Sequence, residues 1–245
     1  MMTATNTRKE ARESLTGKWG KGALITLVYA IFTSIISYIR TMVANDSVTS
    51  LIINIIVLII ATPISFGLII SFIKLKRGED VGVFDFFKDG FSNFKRAWGI
   101  TWNTFVKMIV PIILIIIAGM IFGFFCGVAS VSKIMSGSYD NLSILLLLGI
   151  ILYIVAIVYA VVRGLLYSLS YYIAYDKKEI STKEAVNESA ELMKGNRGNI
   201  FVLELSFIGW AILAVFTLGI GMLWLMPYMQ VALVCFYEEL INKNN

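Results

Sequence analysis

The sequence predicts an all-α, polytopic membrane helix bundle of about six transmembrane helices. Three observations carry that prediction. Of the 245 residues, 58% are hydrophobic and only 15% charged, where a soluble domain is about half apolar and a quarter charged. Several uncharged runs reach the roughly 20 residues that a helix rising 1.5 Å per residue needs to cross a hydrocarbon core about 30 Å thick. The charged residues fall in short clusters between those runs. The formal charge of +5 is therefore read as affinity for an anionic membrane surface and not for nucleic acid.

The elements follow in order. Residues 1–21 form a cytoplasmic amphipathic N-terminal segment, 22–240 a single transmembrane domain and 241–245 a cytoplasmic tail. Glu10 and Glu13 interrupt the basic start and no small-residue cleavage pattern follows the first apolar run, so that run reads as a retained helix and not a secretory signal. The predicted spans are 22–40, 51–74, 101–127, 142–175, 199–217 and 220–238. The first two are joined by a polar loop at Asn45 and Asp46, and the fourth is long and interrupted by Arg163. Between the last two, Thr217 to Gly221 (TLGIG) supplies a tight reversal, because glycine accepts the backbone angles a reversal requires.

Orientation follows from Lys and Arg. The N-terminus carries five of them, the loop after span two six and the loop after span four five, whereas the opposite loops hold Arg40 and Lys133. Both termini are placed in the cytoplasm of a bacterial plasma membrane. Cysteines at Asn45, Ser136 and Gly219 are expected to label from outside, and ones at Asp89 and Glu188 not. Segments ARESLTGKWG, FSNFKRAWG and ELMKGNRG precede spans one, three and five and put Gly20, Gly99 and Gly198 in matching positions. That spacing suggests three related units, each a short helix followed by a helical hairpin; the alternative is that basic, Trp- or Gly-containing loops precede any span, and the sequence leaves both open.

Two of the cytoplasmic segments read as helices. Phe84, Phe87, Phe91 and Phe94 recur at helical spacing, as in a helix lying in the interface plane. Ser181 and Glu184 form a capping box, with Gly195 as a stop. Glu184, Glu188 and Glu191 make an acidic stripe on that second helix, read as a solvated face more readily than as a docking face.

Chemistry is harder to find. No histidine is present, which removes the commonest general base and zinc ligand. No phosphate loop, dinucleotide fingerprint, metal motif or nucleophile elbow occurs, so no catalytic, cofactor or metal residue is assigned and no enzyme is expected. Cys126 and Cys235 lie in apolar runs and read as small hydrophobes. Lys107, Arg163 and Glu204 stand out as ionisable residues within spans, where an unpaired charge is costly. Similar depth makes them a candidate intramembrane charge cluster, with separate snorkelling to the headgroups as the equal alternative. Pro63 and Pro227 are candidate helix kinks, though kinked spans are ordinary. The tyrosines of span four, with Trp210 and Trp224, read as interfacial anchors and packing.

The stretches ARESLTGKWG, TPISFGLIISFIKLKRGE and above all Ser189 to Leu240 resemble the integral membrane proteins of Gram-positive bacteria catalogued as domain of unknown function 975. More distantly, the pattern around Pro63 and Gly67 is similar to the membrane domain attached to some bacterial glycerophosphodiester phosphodiesterases. The first resemblance implies a six-helix plasma-membrane protein and supplies no activity, substrate or site residue. The function expected is the handling of a lipid or peptide amphiphile at the cytoplasmic leaflet, with membrane lipids and a membrane-protein partner as associates and no nucleic acid. The alternative is a structural or scaffold subunit of a larger membrane complex.

Overall fold

The computed structural model describes residues 3–43, 46–136 and 143–244, and among them only helices and turns occur. Asn45 and the 137–142 connection lie outside the described residues, as do the side chains of Lys133 and Ser136. Eleven helices follow one another: α1 (Ala4–Ser14), α2 (Trp19–Val43), α3 (Ser47–Arg77), α4 (Asp85–Ser92), α5 (Phe94–Ser136), α6 (Ser143–Leu165), α7 (Ser170–Asp176), α8 (Thr182–Leu192), α9 (Arg197–Leu205), α10 (Ile208–Phe216) and α11 (Met222–Asn244). Among the described residues, five stretches are long and apolar enough to cross a membrane: Trp19–Val43, Ser47–Arg77, Phe94–Val131, Ile144–Asp176 and Arg197–Phe216. The predicted sixth span falls on α11, whose apolar run is diluted by Pro227, Gln230 and Glu238 and which is not among the five.

Local chemistry explains the helix ends. The Asp46 carboxylate accepts the Val48 and Thr49 N–H groups, both at 2.9 Å, and starts α3. Gly78, at φ 78°, ends it. Ser181 and Glu184 close both halves of a capping box on α8. The backbone N–H of Ser181 holds the Glu184 carboxyl below the usual carboxylate range. Pro63 and Pro227 both lie inside helices, α3 and α11, that continue through them.

The element order repeats three times as a short helix followed by a long hairpin: α1 with α2 and α3; α4 with α5, α6 and α7; α8 with α9, α10 and α11. Packing follows the same rule and closes a ring. Each short helix lies on the closing helix of the preceding unit, α4 on α3, α8 on α7 and α1 on α11. The opening helices do likewise, α5 meeting α3, α9 meeting α6 and α2 meeting α11. The matched glycines differ in surroundings, however. Gly99 lies tight against Thr182, whereas a Cβ at Gly20 or Gly198 would meet open space.

This ring is a densely packed base. Its core includes Leu15, Phe66, Phe72, Phe86, Tyr172, Ile173, Ile200, Phe236 and Tyr237, all at most 3% exposed. Helix α4 is set against α3 by direct backbone approach, since a Cβ on Gly67 would run into the Phe86 carbonyl oxygen and one on Gly90 into that of Pro63. Beyond the base, α2 with α3 and α5 with α6 continue as two hairpin arms that expose Ile55, Ile116, Phe124 and Leu147. In water such arms would be untenable, and in lipid they are ordinary.

Candidate functional site

Where the closing helices α3, α7 and α11 meet, charges interlock. Arg77 makes a bidentate pair with Asp176, both contacts 2.7 Å, and its Nε donates to Glu238 at 2.9 Å. Lys76 binds the other oxygen of Glu238 and pairs with Glu10 of α1 at 3.4 Å. The Tyr237 hydroxyl donates to Asp176 at 3.1 Å. Around the rim, Lys74 pairs with Asp89 and Lys177 with Glu188. Two basic residues ahead of spans also donate to helix ends, Lys18 to the Leu75 carbonyl and Arg96 to the carbonyls of Ala174, Lys177, Lys178 and Ile180. Arg96 thereby satisfies carbonyls at the end of α7 and the turn beyond it. This network is structural, because each carboxylate in it is already paired with a cation.

The sequence-predicted residues are distributed differently. Lys107 is exposed on α5 and Glu204 exposed on α9. Arg163 is half-buried, its guanidinium 3.3 Å from the Tyr167 hydroxyl, with an Nε that has no partner. No ion pair or hydrogen bond joins any two of these three. Matching depth along a helix does not fix which way a residue faces around it. Of the Phe stripe, Phe84, Phe91 and Phe94 are exposed, while Phe87 is half-buried edge-on against Phe32. The buried anchor of α4 is Phe86, which the spacing argument passed over. Cys235 is buried and Cys126 half-buried, and both are free. Among the described residues, no three His, Cys, Asp or Glu side chains converge to hold a metal.

A groove of ≈ 340 Å³ with room for a ligand lies between the end of α1, the start of α2 and the α10–α11 hairpin. Trp19, Trp210, Trp224 and Tyr228 wall it, Leu213, Ala214 and Leu225 complete its apolar lining, and Arg12 stands at its edge. Tyr228 organises one wall, its ring edge-on to Trp19 and Phe207 and its hydroxyl donating to the Arg8 carbonyl at 3.3 Å. The two arginines of α1 are unlike the rest of that helix. Glu10 and Glu13 are taken by Lys76 and Lys9, whereas among the described residues neither Arg8 nor Arg12 has a carboxylate partner. Arg8 makes one long contact, 3.4 Å to the Ser206 carbonyl, and its buried Nε has none. Trp210 and Trp224 are the residues whose role sequence reasoning missed; as anchors they looked ordinary, and only folding the hairpin back against Trp19 brings three tryptophans to one groove.

The family described as protein of unknown function (DUF975) matches residues 1–244. The chain belongs to that family. DUF975 proteins thus include a helical membrane bundle of this three-unit form, and the family brings no established activity to it. Among curated proteins and among solved structures, none matches this chain. No finding links this DUF975 protein to the membrane domain of glycerophosphodiester phosphodiesterases.

Proposed function

We propose that this DUF975 protein is a non-enzymatic, multi-pass plasma-membrane protein that binds an amphiphile with an anionic headgroup in the Trp19–Trp210–Trp224 groove, at the cytoplasmic leaflet. The observation that carries the reading is the groove itself, an apolar, aromatic wall with an unpaired arginine at its edge. Indole rings suit such a site, since they combine a large apolar face with tolerance of the wet, polar end of a lipid. Arg8 and Arg12 supply positive charge that no carboxylate among the described residues claims, and a phosphate is the natural complement of a guanidinium. Cytoplasmic placement of both termini rests on the Lys and Arg asymmetry of the loops.

The test is lipid retention. Protein purified in detergent is incubated with phosphatidylglycerol or with phosphatidylcholine of the same acyl chains, and bound lipid is counted by native mass spectrometry. Retention of phosphatidylglycerol in preference to phosphatidylcholine is expected, with roughly tenfold weaker retention in Trp210→Ala/Trp224→Ala and in Arg8→Gln/Arg12→Gln. Equal retention by the wild type and the tryptophan variant would refute the groove as the site. Equal retention of the two lipids would refute the headgroup assignment alone.

A further inference from the structure

We propose that the third hairpin, α10–α11, enters the bilayer from the side of the base and turns back inside it, its tip held among acyl chains without crossing. The sequence reading places this turn, through Gly219, on the far side of the membrane with the other two connections, and three observations now separate it from them.

The first is depth. Thr217 and Gly221, at the hairpin tip, line the same groove as Arg12 and Trp19. Trp19 begins α2, whose 25 residues rise about 37 Å before reaching the far-side connection. A tip sharing one small groove with the near end of α2 is well short of that level. The helix leading up to it is also interrupted, since α9 ends at Leu205 and its Ile200 and Leu203, with Phe207 beyond, are buried in the base. Beyond those contacts α10 adds nine residues and about 14 Å. The apolar stretch Arg197–Phe216 has the length to cross, but Ile200, Leu203 and Phe207 anchor its first half against the base.

The second observation is the surface of the tip. Val215 is 72% exposed, Phe216 80% and Leu218 95%. No charged residue lies between Arg197 and Glu238 other than Glu204. By contrast, the α2–α3 turn carries Asp46, as a turn emerging into water does.

The third is the backbone. Turns in water leave N–H groups to solvent, but in hydrocarbon each must be satisfied from within. Here every backbone N–H from Thr217 to Leu225 donates to an acceptor of the hairpin itself. Thr217, the one polar side chain of the turn, completes the set by donating to the Ala214 carbonyl at 2.7 Å and accepting from the Gly221 N–H at 2.8 Å. Leu218 and Gly219 take positive φ, 53° and 84°, to make this closure, an angle that is strained for leucine and free for glycine.

The experiment uses the full chain in liposomes, with Cys126 and Cys235 replaced by Ala and single cysteines introduced at Leu218 or at Phe216, both exposed positions whose replacement disturbs no packing. A nitroxide attached at either site is expected to relax faster with oxygen than with a water-soluble nickel chelate. A membrane-impermeant maleimide is expected to miss both cysteines from either face while reaching one at Glu191. Faster relaxation with the nickel chelate, or maleimide labelling from either face, would overturn the proposal, the far face by showing a complete crossing and the near face by placing the tip in water.

Discussion

The base and the arms of this protein are made from the same apolar residues, yet the two regions obey different rules. In the base, helices meet through fixed shapes: Gly67 and Gly90 let backbones touch, Phe86 fills a closed pocket, and ion pairs lock the helix ends. In the arms of α2–α3 and α5–α6, large residues such as Phe124 point outward, and the solvent that receives them is lipid. Membrane association lacks a hydrophobic drive between apolar helices, so what holds helices together must be close packing and polar contacts. Both are concentrated in the base. The difference teaches that hydropathy locates lipid contact in this protein but says little about where its fold is decided.

Substitutions sharpen that contrast. The largest effect is expected from Phe86→Ala, which empties a fully buried site in the base and should cost about 3–5 kcal/mol; thermal unfolding in detergent measures it, and a shift no larger than that of an arm variant would erase the distinction. Next comes Arg77→Met, which leaves Asp176 without its cation while Glu238 keeps Lys76. A buried pair broken from one side loses about 3–5 kcal/mol, and the partial exposure of this one reduces the expectation to about 2 kcal/mol. Adding Asp176→Leu should recover part of the loss, whereas additive losses would mean the bidentate pair contributes nothing as a pair. A small effect is expected of the α8 cap. Glu184 has a folded-state pKa below its unfolded value, so its contribution is present above the unfolded value and is lost as pH falls through the folded one. Hydrogen exchange of the first-turn amides of α8 should quicken more between about pH 7 and pH 3 in the wild type than in Glu184→Gln, after correction for intrinsic exchange. Smallest of all is Phe124→Ala in the α5 arm, expected within about 0.5 kcal/mol of the wild type.

How much of this was legible in the sequence depends on how far apart the cooperating residues lie. The Ser181 and Glu184 box, the Gly195 stop and the Thr217–Gly221 reversal are set by residues within a few positions of one another, and the chain displays them directly, whereas the three-unit order is only suggested by the spacing of Gly20, Gly99 and Gly198, which leaves ordinary basic loops open as the alternative. The ion network joins Glu10, Lys76, Asp176 and Glu238 across the whole length, and no local pattern marks these four among the many charges of the loops. Lys107, Arg163 and Glu204 drew notice because burying charge in lipid is costly, but the pairing inferred from depth needed a direction around each helix axis that spacing does not give. The groove was missed for the same reason in reverse, since Trp19, Trp210 and Trp224 are ordinary one at a time.

The seat of α1 on α11 has a consequence for the order in which the molecule is made. Helices α4 and α8 find their resting places on α3 and α7, segments synthesised just before them, so each docks as soon as it emerges. Helix α1 leaves the ribosome well before α11, the helix that receives most of its packing. Until α11 is made, α1 has only its smaller contacts with α3 and α9, and the ring stands open at the α1–α11 joint. Closure of the ring thus waits for α11, and a chain stopped short of it would hold α1 by those lesser contacts alone.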